Sequence, residues 1–219
     1  MRKWILMCCL GVYCVLLSAQ PSYRTGLLPA VNINKSLGDK WRLNIKQESR
    51  VGAAQGYLDA PYRWKIDYEL TDISALIVRR AGPNSRWAAG YLLRIQERLP
   101  THRLIQQYTT VSSLYGFRLG HRFSADQTFS EQEDTELRLR YRLASDIALQ
   151  GQSVDPREFY LKFSNEYLHA LQGGKYDLEI RLVSSLGFAI TDDNKLEGGL
   201  DYRLDRFLGE AARHTLWWA

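Results

Sequence analysis

The chain has 219 residues, of which 45% are hydrophobic and 24% charged, so it can form one sizeable domain but is too polar for a bundle of transmembrane helices. Lysine and arginine number 29 against 24 acidic residues, which gives a formal net charge of +5. This mild excess, with both signs spread along the chain, does not predict the one-sided basic surface of a nucleic-acid-binding protein.

The N-terminus has the pattern of a secretory signal peptide. A basic start precedes a run of apolar and small residues that ends at Leu17, and Leu17 and Ala19 suit a signal-peptidase site. We therefore predict a signal peptide over residues 1–19 and a mature domain over residues 20–219. All three cysteines lie inside this signal, so the mature chain would lack disulfides and cysteine metal sites, which suits a Gram-negative envelope protein.

Beyond the signal, apolar and charged residues alternate with a period of two. In the clearest segment, residues 135–143, one parity is apolar and the other charged: Leu137, Leu139, Tyr141 and Leu143 against Glu136, Arg138, Arg140 and Arg142. Successive side chains of a strand point to opposite faces, whereas a helical period would spread these arginines around the whole circumference. The segment is therefore predicted to be a strand with one apolar and one guanidinium face.

The same pattern predicts about eleven strands and no helix after the signal. The candidate strands, in chain order, are 27–37, 41–50, 68–80, 87–99, 103–114, 117–129, 135–143, 159–171, 176–182, 196–207 and 214–218. The six prolines fall in the predicted turns or at strand ends, as a continuous sheet requires. Even spacing with tight turns favours an antiparallel up-and-down sheet over a βαβ fold.

Alternation alone fits both a soluble barrel with an apolar core and an outer-membrane barrel with an apolar exterior. The number of strands and the abundance of arginine on the polar parity favour the membrane barrel. Aromatic residues near strand ends, on the apolar parity, also favour it: Trp41, Trp87, Tyr91, Phe117, Phe129, Tyr202, Trp217 and Trp218. Because bacterial barrels have an even number of strands, we predict about 12 strands, with 10 as the alternative. A soluble periplasmic β-barrel remains the competing interpretation.

Several segments resemble one family when they are taken in order. They are the strand from Trp41 to Arg50, the arm from Gly116 to Arg122, the strand from Leu137 to Leu143, Asn165-Glu166, the segment from Gly199 to Arg203, and the closing segment from Arg213 to Trp218. Together they are similar to domain-of-unknown-function family 2490, whose members are expected to be outer-membrane β-barrels of Gram-negative bacteria. The chain stops at Ala219, short of the full aromatic closing strand that this resemblance implies. The resemblance implies a fold and a location, and it implies no chemistry.

The charged parity is the candidate functional surface, because it would line the barrel lumen. The lumen-facing candidates are Arg42, Lys46, Arg50, Arg94, Arg98, Arg118, Arg122, Arg138, Arg140, Arg142, Lys162, Glu166, Arg181 and Arg203. One hypothesis is a porin-like channel whose positive excess favours small anionic solutes. The other is a closed lumen in which these cations pair with nearby carboxylates, because unpaired enclosed charge is costly.

An outer-membrane enzyme is a weaker hypothesis. His121 shares the parity of Phe123, so the adjacent Ser124 points to the opposite face, and His102, His169 and His214 lie near turns or strand ends. We therefore predict no enzyme, no metal site and no cofactor. The expected partners are outer-membrane lipid and, for a structural or complex-forming barrel, other envelope proteins; no nucleic-acid partner is expected.

Overall fold

Twelve β-strands make up the fold in a computed structural model, which describes residues 21–57, 62–97, 99–114, 117–131, 133–151, 153–209 and 211–219. The predicted signal peptide lies outside these residues. The strands are β1 (Ser22–Leu27), β2 (Ala30–Ser36), β3 (Trp41–Tyr57), β4 (Arg63–Arg80), β5 (Ser85–Gln96), β6 (Thr101–Leu114), β7 (Phe117–Phe129), β8 (Glu136–Ala148), β9 (Phe159–Gln172), β10 (Lys175–Ala189), β11 (Lys195–Asp205) and β12 (Arg213–Trp218). Among the described residues, no helix has the length and apolar character needed to cross a membrane.

The strands form one sheet that closes on itself. From β2 to β12 each strand pairs antiparallel with the next, and β1 then joins β12 to β3. The result is a closed barrel of 11 strands with β2 outside the ring. The predicted all-β barrel of about 12 strands is therefore confirmed.

The barrel closes through a parallel pair, which the sequence did not predict. β1 and β2 both run antiparallel to β3 and follow one another along its edge, separated by Pro29, so they form one interrupted pass of the chain. With β1 and β2 counted as one, the chain crosses the barrel wall an odd number of times, so its first and last crossings run in the same direction. Ser22–Leu27 therefore pairs parallel with Arg213–Trp218. The sheet is mixed, and the expectation of a strictly antiparallel, even-numbered barrel is wrong at this seam.

The apolar parity faces outward and the charged parity faces inward. Leu139 is 64% exposed and Ile66 84% exposed, whereas Glu166 is 2% and Asp126 1% exposed. Most large hydrophobic side chains on the outward parity are similarly exposed, so the barrel has its polar residues inside. Trp217 is an exception to the predicted aromatic set, because it points inward over Gly26, while its neighbour Trp218 points outward.

A small apolar cluster occupies one wall of the interior. Leu76, Ala88 and Ile105 are buried on β4, β5 and β6, and Val78 and Leu92 pack against them. Along the inward face of β4, Asp72 comes first, then Leu76 and Val78, and then Arg80 at the end of the strand. The cluster therefore lies between the ion pairs at the centre of the barrel and the end at which β4 turns into β5. One wall of the lumen is therefore apolar at this level.

Candidate functional site

The centre of the interior is organised around Glu166 on β9. Arg142 Nε donates to its Oε2 at 2.6 Å, Arg140 Nη2 donates to its Oε1 at 3.0 Å, and Arg181 Nη1 lies 3.5 Å from Oε1. Arg140 and Arg142 come from β8 and Arg181 from β10, so both neighbouring strands contribute. Their position follows from register, because Glu166 is directly opposite Arg142 on one side and Arg181 on the other.

Two arginines extend this group along the sheet. Arg140 Nη1 also donates to Asp126 Oδ2 on β7 at 3.0 Å, so Arg140 bridges two buried carboxylates. Arg181 makes a two-pronged contact with Glu179, with nitrogen–oxygen distances of 2.7 and 3.0 Å. Charge-assisted and two-pronged bonds of this kind are the strongest that side chains form.

A second group of ion pairs lies on β3, β4 and β5. Arg94 donates to both oxygens of Asp72 at 2.7 Å, and Arg50 lies 3.9 Å from the same carboxylate. Arg50 and Lys46 also flank Glu48, at 3.6 and 2.6 Å. The strands that carry these residues are neighbours in the sheet, so the group forms from local register.

The two groups approach one another across the lumen. Arg203 on β11 forms an ion pair with Asp201 at 2.7 Å and reaches Glu48 on β3 at 4.0 Å, across β12 and β1. On the opposite walls, Arg94 lies within electrostatic range of Arg181. The contact between Arg203 and Glu48 therefore links β11 with the ion pairs of β3, β4 and β5.

A further contact passes over β10. The Tyr160 hydroxyl donates to Glu197 Oε1 at 2.6 Å, and Lys162 Nζ binds the same carboxylate at 2.8 and 2.9 Å. Tyr160 and Lys162 are on β9 and Glu197 is on β11, so these bonds skip one strand. Gly187 of β10 makes this possible, because any side chain there would occupy the position of the Tyr160 ring.

The predicted lumen residues fall into three sets. Most have a partner of opposite charge within 4.0 Å: Lys46, Arg50, Arg94, Arg138, Arg140, Arg142, Lys162, Glu166, Arg181 and Arg203. Arg42, Arg118 and Arg122 have no carboxylate at that distance among the described residues. Arg98 lies outside the described residues.

Sequence reasoning missed several interior residues. Arg80, Arg86, Arg103 and Asp72 share the inward parity of their strands, and Arg103 Nε donates to Thr128 at 2.9 Å. Their strands alternate charged residues with Ser, Ala, Leu and Ile on the inward parity, so the charge pattern was weak. Three of these residues follow from the inward position of Arg94. Arg86 has the same parity on β5, and Asp72 and Arg80 have the matching parity on the paired strand β4.

All four histidines lie on the outer face, each in a diagonal pair with a tyrosine of the adjacent strand. The hydroxyls of Tyr141, Tyr176 and Tyr202 bond Nδ1 of His121, His169 and His214 at 3.0, 2.7 and 2.7 Å, and Tyr91 bonds His102 in the same way. Among the described residues, His121 alone has a serine on its other nitrogen, with Ser112 Oγ 2.9 Å from Nε2. Since the three histidines without a serine make the same tyrosine contact, the pairing is explained by packing of the outer surface.

A family model described as a protein of unknown function, DUF2490, matches residues 25–210, and the chain therefore belongs to this family. No curated protein and no solved structure shows significant similarity to the chain.

Proposed function

We propose that this protein is an outer-membrane β-barrel with a closed, salt-bridged lumen, which serves as a structural or complex-forming barrel. The observation that carries the proposal is the linked set of ion pairs from Asp126 through Arg140 and Glu166 to Arg181. Enclosed charge is tolerated where it is paired in this way, and we expect the paired side chains to occupy the space that a pore would need.

The outer face supports a lipid environment. It is lined with exposed Leu, Ile, Val and aromatic side chains, and several of its polar side chains pair with one another. Gln106 and Gln127 form two reciprocal amide bonds of 3.1 Å, and Ser49 bonds Thr71 at 2.8 Å. Hydrocarbon offers no partners for polar groups, so such internal pairing is what a lipid-facing surface requires.

Fractionation of cells that express the full chain tests the location. We expect the mature chain in the outer-membrane fraction, released only by detergent, with the predicted signal at residues 1–19 removed. Recovery of the protein in the periplasmic supernatant without detergent would contradict the proposal.

Closure is tested separately with the purified barrel in liposomes loaded with a chloride-sensitive dye. We expect chloride to enter no faster than into protein-free liposomes. An open porin of known conductance, inserted at the same protein-to-lipid ratio, controls for the sensitivity of the assay.

An anion channel is the second candidate. The observation that favours it is a group of arginines near one end of the barrel, on β3, β5 and β7, for which no described residue supplies a carboxylate within 4.0 Å. A channel of this kind would conduct with a preference for anions over cations, so a reversal potential measured in a salt gradient distinguishes it from a closed barrel.

A further inference from the structure

We infer that one mouth of the barrel binds an anion that carries several negative charges on phosphate or carboxylate groups. The site, which we call the arginine mouth, consists of Arg42, Arg80, Arg86, Arg118 and Arg122. All five are on the inward parity of β3, β4, β5 and β7, and none has a carboxylate within 4.0 Å among the described residues. The inference goes beyond the proposed function and holds whether the lumen is closed or open.

Strand register brings these arginines together. Arg80 and Arg86 are direct cross-strand partners, Arg86 is opposite Thr109, and Thr109 is opposite Arg122. Continuing along this row, Arg122 is opposite Arg142, and Glu166 on β9 is the first carboxylate to appear. Four arginines and one threonine therefore occupy five neighbouring strands before a negative charge is reached.

The remaining two arginines border the same row. Arg42 is opposite Val78, two residues from Arg80 on the same face of β4. Arg118 lies two inward positions before Arg122 on β7, with Gly120 between them. Arg42, Arg80 and Arg118 all lie within electrostatic range of Arg86.

The arrangement is unfavourable without an anion. Like charges directly opposite one another destabilise a sheet, and no carboxylate of the described residues comes within 4.0 Å of these arginines. Arg122 gives a second sign of an unmet partner, because its Nε is buried and has no hydrogen-bond partner among the described residues. Arg50 and Arg138 also have a buried Nε without such a partner, but each of them forms an ion pair with a glutamate, at 3.6 and 2.6 Å, and Arg122 forms none among the described residues.

The chemistry of the ligand follows from the guanidinium group and its surroundings. Guanidinium presents a planar fork of donors that matches phosphate and carboxylate oxygens, and several forks together favour an anion with more than one charge. The apolar cluster of Leu76, Ala88 and Ile105 lies directly below the row on β4, β5 and β6. Arg42, Arg80, Arg86 and Arg118 are exposed, so an anion from solution can reach them.

Isothermal titration of the full mature barrel, refolded in a neutral detergent, tests the inference with pyrophosphate as the probe. Neighbouring residues provide a matched pair of variants, because Arg80 points into the mouth while Arg79 points outward, 5.5 Å over the Trp41 ring. We expect Arg80→Gln and Arg86→Gln each to weaken pyrophosphate binding about tenfold, as the loss of one charge-assisted bond implies, and Arg79→Gln to leave it unchanged. Circular dichroism shows that each variant has folded.

The source of the anion is distinguished by a second titration, with phosphate-bearing glycolipid in mixed micelles of the same detergent. Binding of either probe that is lost in Arg80→Gln and kept in Arg79→Gln supports the site, and the tighter probe indicates whether the ligand is a soluble anion or a lipid head group. Absence of binding by both probes, or equal loss in Arg79→Gln and Arg80→Gln, would overturn the inference.

Discussion

The ring of Tyr160 lies over Gly187, in the space that a side chain at position 187 would occupy. Tyr160 is 0% exposed, and a Cβ atom added to Gly187 would come within 2.5 Å of its Cε1 atom. The missing side chain lets Tyr160 cross β10 and bond Glu197 on β11. One glycine thus permits a contact that ties three strands together inside the lumen.

Gly187→Ala should therefore destabilise the barrel. The added methyl group must displace a fully buried ring, and overpacking of this kind costs about 1–3 kcal/mol. Urea unfolding of the barrel in lipid vesicles measures the loss. Gly198→Ala on β11 is the matched control, because its nearest neighbour is 4.0 Å away, and an equal loss in both variants would show that Tyr160 is not the cause.

Removing the charge of Glu166 should be far more costly. Glu166→Gln leaves Arg140, Arg142 and Arg181 without their shared carboxylate, and breaking a buried pair costs about 3–5 kcal/mol. The same unfolding experiment measures it. Asp67→Asn removes one partner of the exposed Lys65–Asp67 pair, for which we expect less than about 1 kcal/mol. Similar small losses in both variants would mean that the network contributes little.

A charge on the outer face tests the lipid environment. Leu182 lies at the middle of β10, exposed on the outward parity, so Leu182→Arg should cost about 2–4 kcal/mol in a bilayer. Leu196→Arg, near the end of β11, should cost only about 0–1 kcal/mol because it lies near the bilayer surface. Unfolding in vesicles compares the two, and a harmless Leu182→Arg would indicate that water surrounds the barrel.

The Ser112–His121 pair should not support hydrolysis. Its geometry is that of a nucleophile and a base, but the same histidine–tyrosine packing recurs at three positions without a serine. We expect purified barrel to hydrolyse short-chain nitrophenyl esters no faster than Ser112→Ala. Turnover that disappears in both Ser112→Ala and His121→Ala would instead establish an esterase.

The alternating pattern predicted the strands well because it is a local property of each segment. Residues 135–143 fall within or beside β8, and the inward parity of Glu166 could be assigned from its neighbours alone. β1 was missed because only six residues, Ser22–Leu27, form it, immediately after the predicted signal.

Contacts between strands were less predictable, because they depend on register. The convergence of three arginines on Glu166 requires β8 and β10 to flank β9 at one particular offset. The parallel closure of β1 on β12 depends on the odd number of passes, which the expected even number excluded. The arginine mouth depends on register in the same way: Arg42, Arg118 and Arg122 are predicted to face the lumen, but Arg80 and Arg86 become neighbours only once β4 and β5 are paired.

Single-channel recording in planar bilayers tests the closed lumen most directly. The account predicts that the wild-type barrel inserts but shows no steady conductance, whereas the double variant Arg140→Ala, Glu166→Ala, which removes two side chains from the centre of the lumen, shows measurable current. A stable conductance of the wild-type barrel would contradict the closed lumen, whatever the double variant shows.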